Sequence, residues 1–146
     1  MKILIICSKV FYKDIAEIKQ KLAELGHAVE LPNSYDYPTA EIKSWELGEK
    51  AHAEFKAKMF RLSEQRIKEV DAVLVLNFDK NGKKNYIGGA TFIEIYEAFM
   101  KNKKIFLYND IPEGMLYDEI QGFSPIVING DLELIFDVAL HFGTLL

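Results

Sequence analysis

The chain has 146 residues, 49% of them hydrophobic and 27% charged, with a formal net charge of -4. That size and balance describe one ordinary domain able to bury a sizeable core, and a single cysteine excludes an internal disulfide or a cysteine metal cluster. The acidic balance, with no basic cluster longer than Lys101-Asn102-Lys103-Lys104, excludes the broad cationic surface that polymeric nucleic acid needs, but leaves room for a small anionic ligand at one locally positive site.

Residues 2–8, "KILIICS", form a continuous apolar run, the pattern of a strand covered on both faces. The run is too short for a membrane span or a signal-peptide core, so the expectation is a cytoplasmic protein with no membrane partner. Cys7 within it reads as a buried, inert thiol. A helix follows over about residues 13–25, with Ile15, Ile18, Leu22 and Leu25 on one face and Gly26 as its stop. "HAVELP" reads as a second strand ended by Pro32. Residues 32–39 make a turn-rich loop with two tyrosines, a candidate cover for a substrate. Residues 39–70 are charged and helix-favouring, with an apolar stripe of Phe55, Met59, Leu62, Ile67 and Val70. That stripe is core or subunit contact.

"DAVLVLN", residues 71–77, is the clearest buried strand. A loop over 78–89 precedes a helix to about Asn102, then the strand "KIFLYN", a last short strand in "PIVING" and a final helix over about 131–142. Strands alternate with helices and no linker or repeat intervenes. The expectation is one α/β domain over residues 1–146, with a mostly parallel sheet of about five strands and helices on both faces. Ligands of such sheets bind beyond the carboxyl ends of the strands. The loops after Cys7, Leu31, Asn77 and Tyr108 are expected to open there.

Glu94 sits just past the third of those loops, in a helix that is apolar almost all round. Thr91 and Glu94 fit a capping box, in which the glutamate returns to the backbone N–H of the cap. A capping box does not need the Gly88-Gly89 pair before it. Glycines ahead of a helix N-terminus let a backbone approach a ligand, and the uncapped N–H groups there favour anions; the pair also fits a plain turn. There is no GxGxxG fingerprint, P-loop or GxSxG elbow. His27, His52 and His141 have no metal-ligand spacing, so neither a metal nor an organic cofactor is expected. Asp79, in "NFDKNG", reads as a turn former or as a ligand for a sugar hydroxyl.

The stretch "DAVLVLNFDKNGKKNYIGGATFIEIYEAFMKNKKIFLYNDIP" resembles the nucleoside 2-deoxyribosyltransferase-like superfamily, which joins an apolar strand, a Gly-rich loop and a helix with an early glutamate. The likeness extends through the first strand and "SPIVINGDLELI". The resemblance implies a flavodoxin-like or Rossmann-like three-layer sandwich that cleaves or transfers the N-glycosidic bond of a nucleoside or nucleoside 5′-monophosphate. It implies Glu94 as the nucleophile at C1′ of the sugar, with a covalent glycosyl-enzyme resolved by water or another base.

Thr91 matches the threonine that transferases carry three residues before the nucleophile. Gly88 stands where transferases carry an aspartate and monophosphate hydrolases a serine. The position of a second acid in the preceding helix falls on Ser63, with Glu64 beside it; either Glu64 or Asp79 substitutes as the leaving-group acid, or the substrate needs little protonation, or the protein is not an efficient enzyme. Tyr86, Gly88, Gly89 and Thr91 are expected against the substrate, with Ser8 and Phe11 meeting it from the first loop and Phe11 stacking on a base. Asn77 is expected to hold sugar hydroxyls. A homodimer or larger assembly is expected, with Trp45, Phe55 and Met59 as a contact surface.

Two rival readings stand beside the enzyme. One is a nucleotide-binding or sensing module without catalysis. The other is a small redox or signalling domain, for which the first loop lacks both a Ser/Thr-rich phosphate cradle and an acidic cluster.

Overall fold

The computed structural model describes residues 1–136. Short apolar runs become strands and the amphipathic segments between them become crossover helices, as parallel pairing requires. In chain order these are β1 (Lys2–Ile6), α1 (Ile15–Glu24), β2 (Ala28–Glu30), α2 (Ala40–Glu46), α3 (Glu49–Lys68) and β3 (Ala72–Val75). Then come α4 (Gly89–Met100), β4 (Lys104–Leu107), α5 (Tyr117–Gly122) and β5 (Ile126–Val127). The five strands form one sheet in the order β2-β1-β3-β4-β5, and every pairing is parallel. This is the three-layer flavodoxin-like α/β architecture expected from the sequence.

Alternation along the strands fills both faces. Ile3, Ile5, Leu74 and Phe106 pack with Ile15, Ile18 and Leu22 of α1. Leu4, Ile6, Val73, Val75 and Leu107 pack on the other side with Ile67 of α3, Ile95 and Ala98 of α4, and Ile120 of α5. The strands are apolar throughout because neither face meets water.

Several boundaries differ from expectation. The residues before α1 form a 3-10 turn, Lys9–Asp14, and Leu25 is 43% exposed rather than on the buried face. The long helical segment is two helices. Gly48 adopts φ +113, which no helix accommodates, and the chain turns there between α2 and α3. Of the expected last helix, only a 3-10 turn at Leu132–Leu134 falls among the described residues; the remainder and His141 lie outside them.

The chain runs from β1 to β2 on one side and then crosses to β3 on the other. A crevice therefore opens where β1 and β3 diverge at their carboxyl ends, with Ile6 paired to Val75. No helix among the described residues is long and apolar enough to cross a membrane.

Candidate active site

The loop leaving β1 carries Cys7 and Ser8 straight into this crevice. The loop after β2 brings Asn33 and Ser34 to its rim, and the loop after β3 brings Lys80 and Tyr86. α3 forms one wall through Phe55, Lys56, Met59 and Ser63, and the start of α4 forms the floor through Gly88, Gly89, Thr91 and Glu94. Together they enclose a cleft of about 410 Å³, within the range of small-molecule sites. The loop after β4 turns away from it. Asn77 binds that loop instead, donating to the Asn109 and Asp110 carbonyls at 3.0 Å each and accepting from the Asn109 N–H at 2.8 Å.

The helix start decides how Glu94 is used. α4 begins at Gly89, with Gly88 as its N-cap and no side-chain cap bond. Thr91 and Glu94 therefore lie inside the helix and form no capping box. The N–H of Phe92 bonds the Gly88 carbonyl at 2.9 Å, so the N–H groups of Gly89, Ala90 and Thr91 precede the first intrahelical bond. Neither Gly88 (φ -81) nor Gly89 needs a left-handed backbone. What the pair supplies is bare space above a helix N-terminus. An added Cβ at Gly89 would meet nothing within 4 Å, whereas one at Gly88 would come within 3.2 Å of the Tyr86 hydroxyl.

The Glu94 side chain lies at the cleft floor, half-buried by surface area but densely surrounded by protein atoms. Burial pushes its carboxyl up from 4.5 to about 7, opposed by a hydrogen bond from Ser63 and by the charges of Arg66 and Lys56. The Ser63 hydroxyl donates to Glu94 Oε2 at 3.2 Å, and the Asn33 amide donates to Ser63 Oγ at 2.7 Å. Arg66 donates to Asn33 Oδ1 at 2.8 Å and reaches Glu30 at 3.6 Å. Cys7 and Tyr12 face Glu94 from the β1 side. Burial and the nearby carboxylate push the Cys7 thiol up to about 12 and the Tyr12 hydroxyl well above its ordinary value. Both stay protonated near neutrality, so Glu94 is the group among these three that ionises there.

Three cations ring the opening: Lys9, ion-paired with Glu41 at 3.3 Å, Lys56, and Lys80, whose ammonium sits 4.5 Å from the centroid of the Tyr86 ring. The cleft is locally positive on an acidic protein.

Of the expected site residues, Ser8, Tyr86, Gly88, Gly89, Thr91 and Glu94 line this one cleft. Four others do not. Phe11 is 3% exposed and packs edge-on against Phe78 with centroids 5.4 Å apart, so it is not available to stack on a base. Asn77 is fully buried and its amide is committed to the loop after β4. Asp79 accepts from the Asn85 N–H at 3.0 Å and lines a separate shallow groove, closing its own loop. Glu64 sits on the outer side of α3, 3.6 Å from Lys68 and 3.7 Å from Lys101.

Phe55 and Met59 line the cleft, while Trp45 is 54% exposed and stacked on His52. His27 links the N-terminal amine to the Ile135 carbonyl, outside the cleft. Among the described residues no three His, Cys, Asp or Glu side chains converge to hold a metal ion. Sequence reasoning missed Asn33, Tyr12, Lys56 and Lys80. Only Asn33 had a signal, its place in the turn-rich loop after β2.

No protein-family model and no curated protein matches the chain. Among solved structures, the CMP N-glycosidase BcmB from Clostridium botulinum is similar at 19% sequence identity, over 88% of this chain and 90% of that one, with a TM-score of 0.53. The flavoenzyme NAD(P)H:(acceptor) oxidoreductase FerB from Paracoccus denitrificans is similar at 16% identity, over 87% of this chain and 74% of that one, with a TM-score of 0.44. The first likeness is one of fold alone: this chain shares the three-layer α/β architecture of that structure over most of its length.

Proposed function

We propose that this protein breaks the N-glycosidic bond of a nucleoside or nucleoside 5′-monophosphate through Glu94. The observation that carries the reading is the Glu94 carboxyl at the floor of the switch-point cleft, held by Ser63 and pushed up to about 7 by burial. The shared fold with a CMP N-glycosidase supports the same class of reaction.

In the proposed step the Glu94 carboxylate forms a bond to C1′ as the C1′–N bond breaks. The base leaves with the electron pair and takes up a proton. Positive charge grows on the sugar in the transition state, and a desolvated anion beside it stabilises that charge more than water could. Water, or a second base, then attacks C1′ from the opposite face and frees Glu94. Hydrolysis and transfer differ only in that second partner. Asp79 and Glu64 are outside the cleft, so the proton for the departing base comes from solvent or from donors lining the cleft; Tyr12, held above the ordinary phenol range, is a weak acid for that step. The lysines and the N–H groups at the start of α4 are placed to receive a 5′-phosphate.

One observation favours the second reading, a binding module without turnover. The second carboxylate that lines the cleft, Glu41, is ion-paired with Lys9 at 3.3 Å, and Gly88 occupies the place where an acid or hydroxyl was expected. Free-base release from a panel of nucleosides and their 5′-monophosphates decides between them. Release by the wild type and its loss in Glu94→Gln support the enzyme. Tight binding with no release from any of them favours the module.

A further inference from the structure

The two oxygens of Glu94 are chemically alike, yet one is singled out by a chain of three side chains that begins outside the cleft. We infer that Asn33 is a positioning residue, one that forces the Ser63 hydroxyl to donate to Glu94 instead of to its own helix. This rests on the reading of Glu94 as nucleophile.

A serine inside a helix has a default partner, the carbonyl four residues back. For Ser63 that carbonyl belongs to Met59. The helix ladder already uses one of its lone pairs, and Asn33 Nδ2 donates to the same oxygen at 3.2 Å. The second Asn33 amide hydrogen points at Ser63 Oγ, 2.7 Å away. Asn33 thus occupies the acceptor that Ser63 would otherwise use and fills a lone pair of the hydroxyl as well. The hydroxyl proton then has Glu94 Oε2 as its recorded acceptor, at 3.2 Å.

The Asn33 amide cannot turn over. The Met59 carbonyl only accepts, and Arg66, which donates to Asn33 Oδ1 at 2.8 Å, only donates. A reversed amide would set oxygen against oxygen at one end and N–H against N–H at the other. The direction of the whole chain, Arg66 to Asn33 to Ser63 to Glu94, is therefore fixed. These links come from the loop after β2, from α3 and from α4, so folding itself sets the donor in place.

A donor on a carboxylate favours its ionised form. Ser63 is 5% exposed, so little water is at hand to replace it. The other charged or titratable groups around Glu94 are Cys7 and Tyr12 on the β1 side and Lys56 and Arg66 on α3. Lys9, Glu41 and Lys80 line the same cleft. Neither Asn33→Leu nor Ser63→Ala removes any of these charges, although Asn33→Leu also takes away the Oδ1 acceptor that holds Arg66, which is why the cycle and not either single variant decides.

The test is a double-mutant cycle read by the titration of the Glu94 side-chain carboxyl in carbon-labelled, ligand-free protein. Asn33→Leu and Ser63→Ala should each raise the Glu94 midpoint by about one pH unit, and the double variant should show no further rise. Base release below pH 6 should fall about tenfold in kcat/KM and return to wild type near pH 9. An unmoved midpoint in Asn33→Leu, or shifts that add in the double variant, would overturn the inference.

Should Asn33→Leu fail to fold, Asn33→Asp retains the Arg66 contact but accepts from Ser63 in place of donating to it. Its added charge acts with or without Ser63. A larger rise with Ser63 present than in the Ser63→Ala background is expected, and equal rises refute the relay. The titration does not depend on turnover. If Glu94→Gln still releases base, the nucleophile reading fails while the relay stands or falls on the midpoints alone.

Discussion

A carboxyl held up at about 7 by burial has consequences for both activity and stability. Only the ionised form can attack C1′, so kcat/KM should rise about tenfold per pH unit below 7 and level off above it. Stability should run the other way. The folded state keeps the Glu94 proton up to about 7, while the unfolded chain gives it up near 4.5. Its contribution is thus intact below 4.5 and lost as pH rises to about 7. Glu94→Gln removes the charge and retains an acceptor for Ser63. The variant should lose base release by about a thousandfold or more, yet unfold at a higher temperature than wild type at pH 8. The gain should be about 2 kcal/mol, discounted for water that reaches the cleft, and should vanish near pH 4. A thermal melt at the two pH values checks it. Equal melting temperatures at pH 8 would mean that the carboxylate is well solvated.

At the scale of elements, the start of α4 matters most. Because an added Cβ at Gly89 meets nothing within 4 Å, Gly89→Ala should fold normally. Gly89→Asp places a negative charge beside the uncapped N–H groups. Binding of a 5′-monophosphate should then weaken at least about tenfold, and binding of the matching nucleoside much less. Calorimetry with both ligands checks this, and equal losses would put the phosphate elsewhere.

The strands were legible because a strand buried on both faces is apolar at every residue, as in "ILII" and "AVLV". Helix limits were less so. The Thr91-to-Glu94 spacing imitates a capping box, and the earlier start at Gly89 shows only when the carbonyl of Gly88 is seen to accept from Phe92. Gly48 lay inside an otherwise helix-favouring run, and its positive φ split that run. Of the residues that follow strands, Ser8 and Tyr86 line the cleft while Phe11 and Asn77 turn into the protein. Sequence gives the height of a residue at the sheet edge, not the direction its side chain takes. The Asn33–Ser63–Glu94 chain joins residues about thirty apart in sequence on three separate segments, and no local pattern announces it.

At the scale of the whole molecule, the helix that carries Glu94 leaves a broad apolar face outside. Ile93, Tyr96 and Phe99 are 41%, 47% and 41% exposed, and Met100 is 57% exposed. α4 is apolar almost all round, yet the sheet covers only one side of it, where Thr91, Ile95 and Ala98 are buried. Uncovered apolar area of this kind favours association. Self-association is proposed through this face. Light scattering at micromolar concentration should give at least a dimer, and Tyr96→Glu should lower the mass. A monomeric wild type would rule the assembly out.

The central claim is a bond between Glu94 and C1′ of a sugar. A 2-fluoro-arabinosyl nucleotide slows both formation and breakdown of such a bond, because the fluorine destabilises the positive charge at C1′. Intact-mass analysis of the wild type after incubation with this compound at pH 8 should show one added sugar phosphate. Peptide mapping should place it on the Glu94 side chain, and Glu94→Gln should stay unmodified. Release of base from ordinary nucleotides with no adduct on Glu94, together with normal turnover by the Gln variant, would contradict the account.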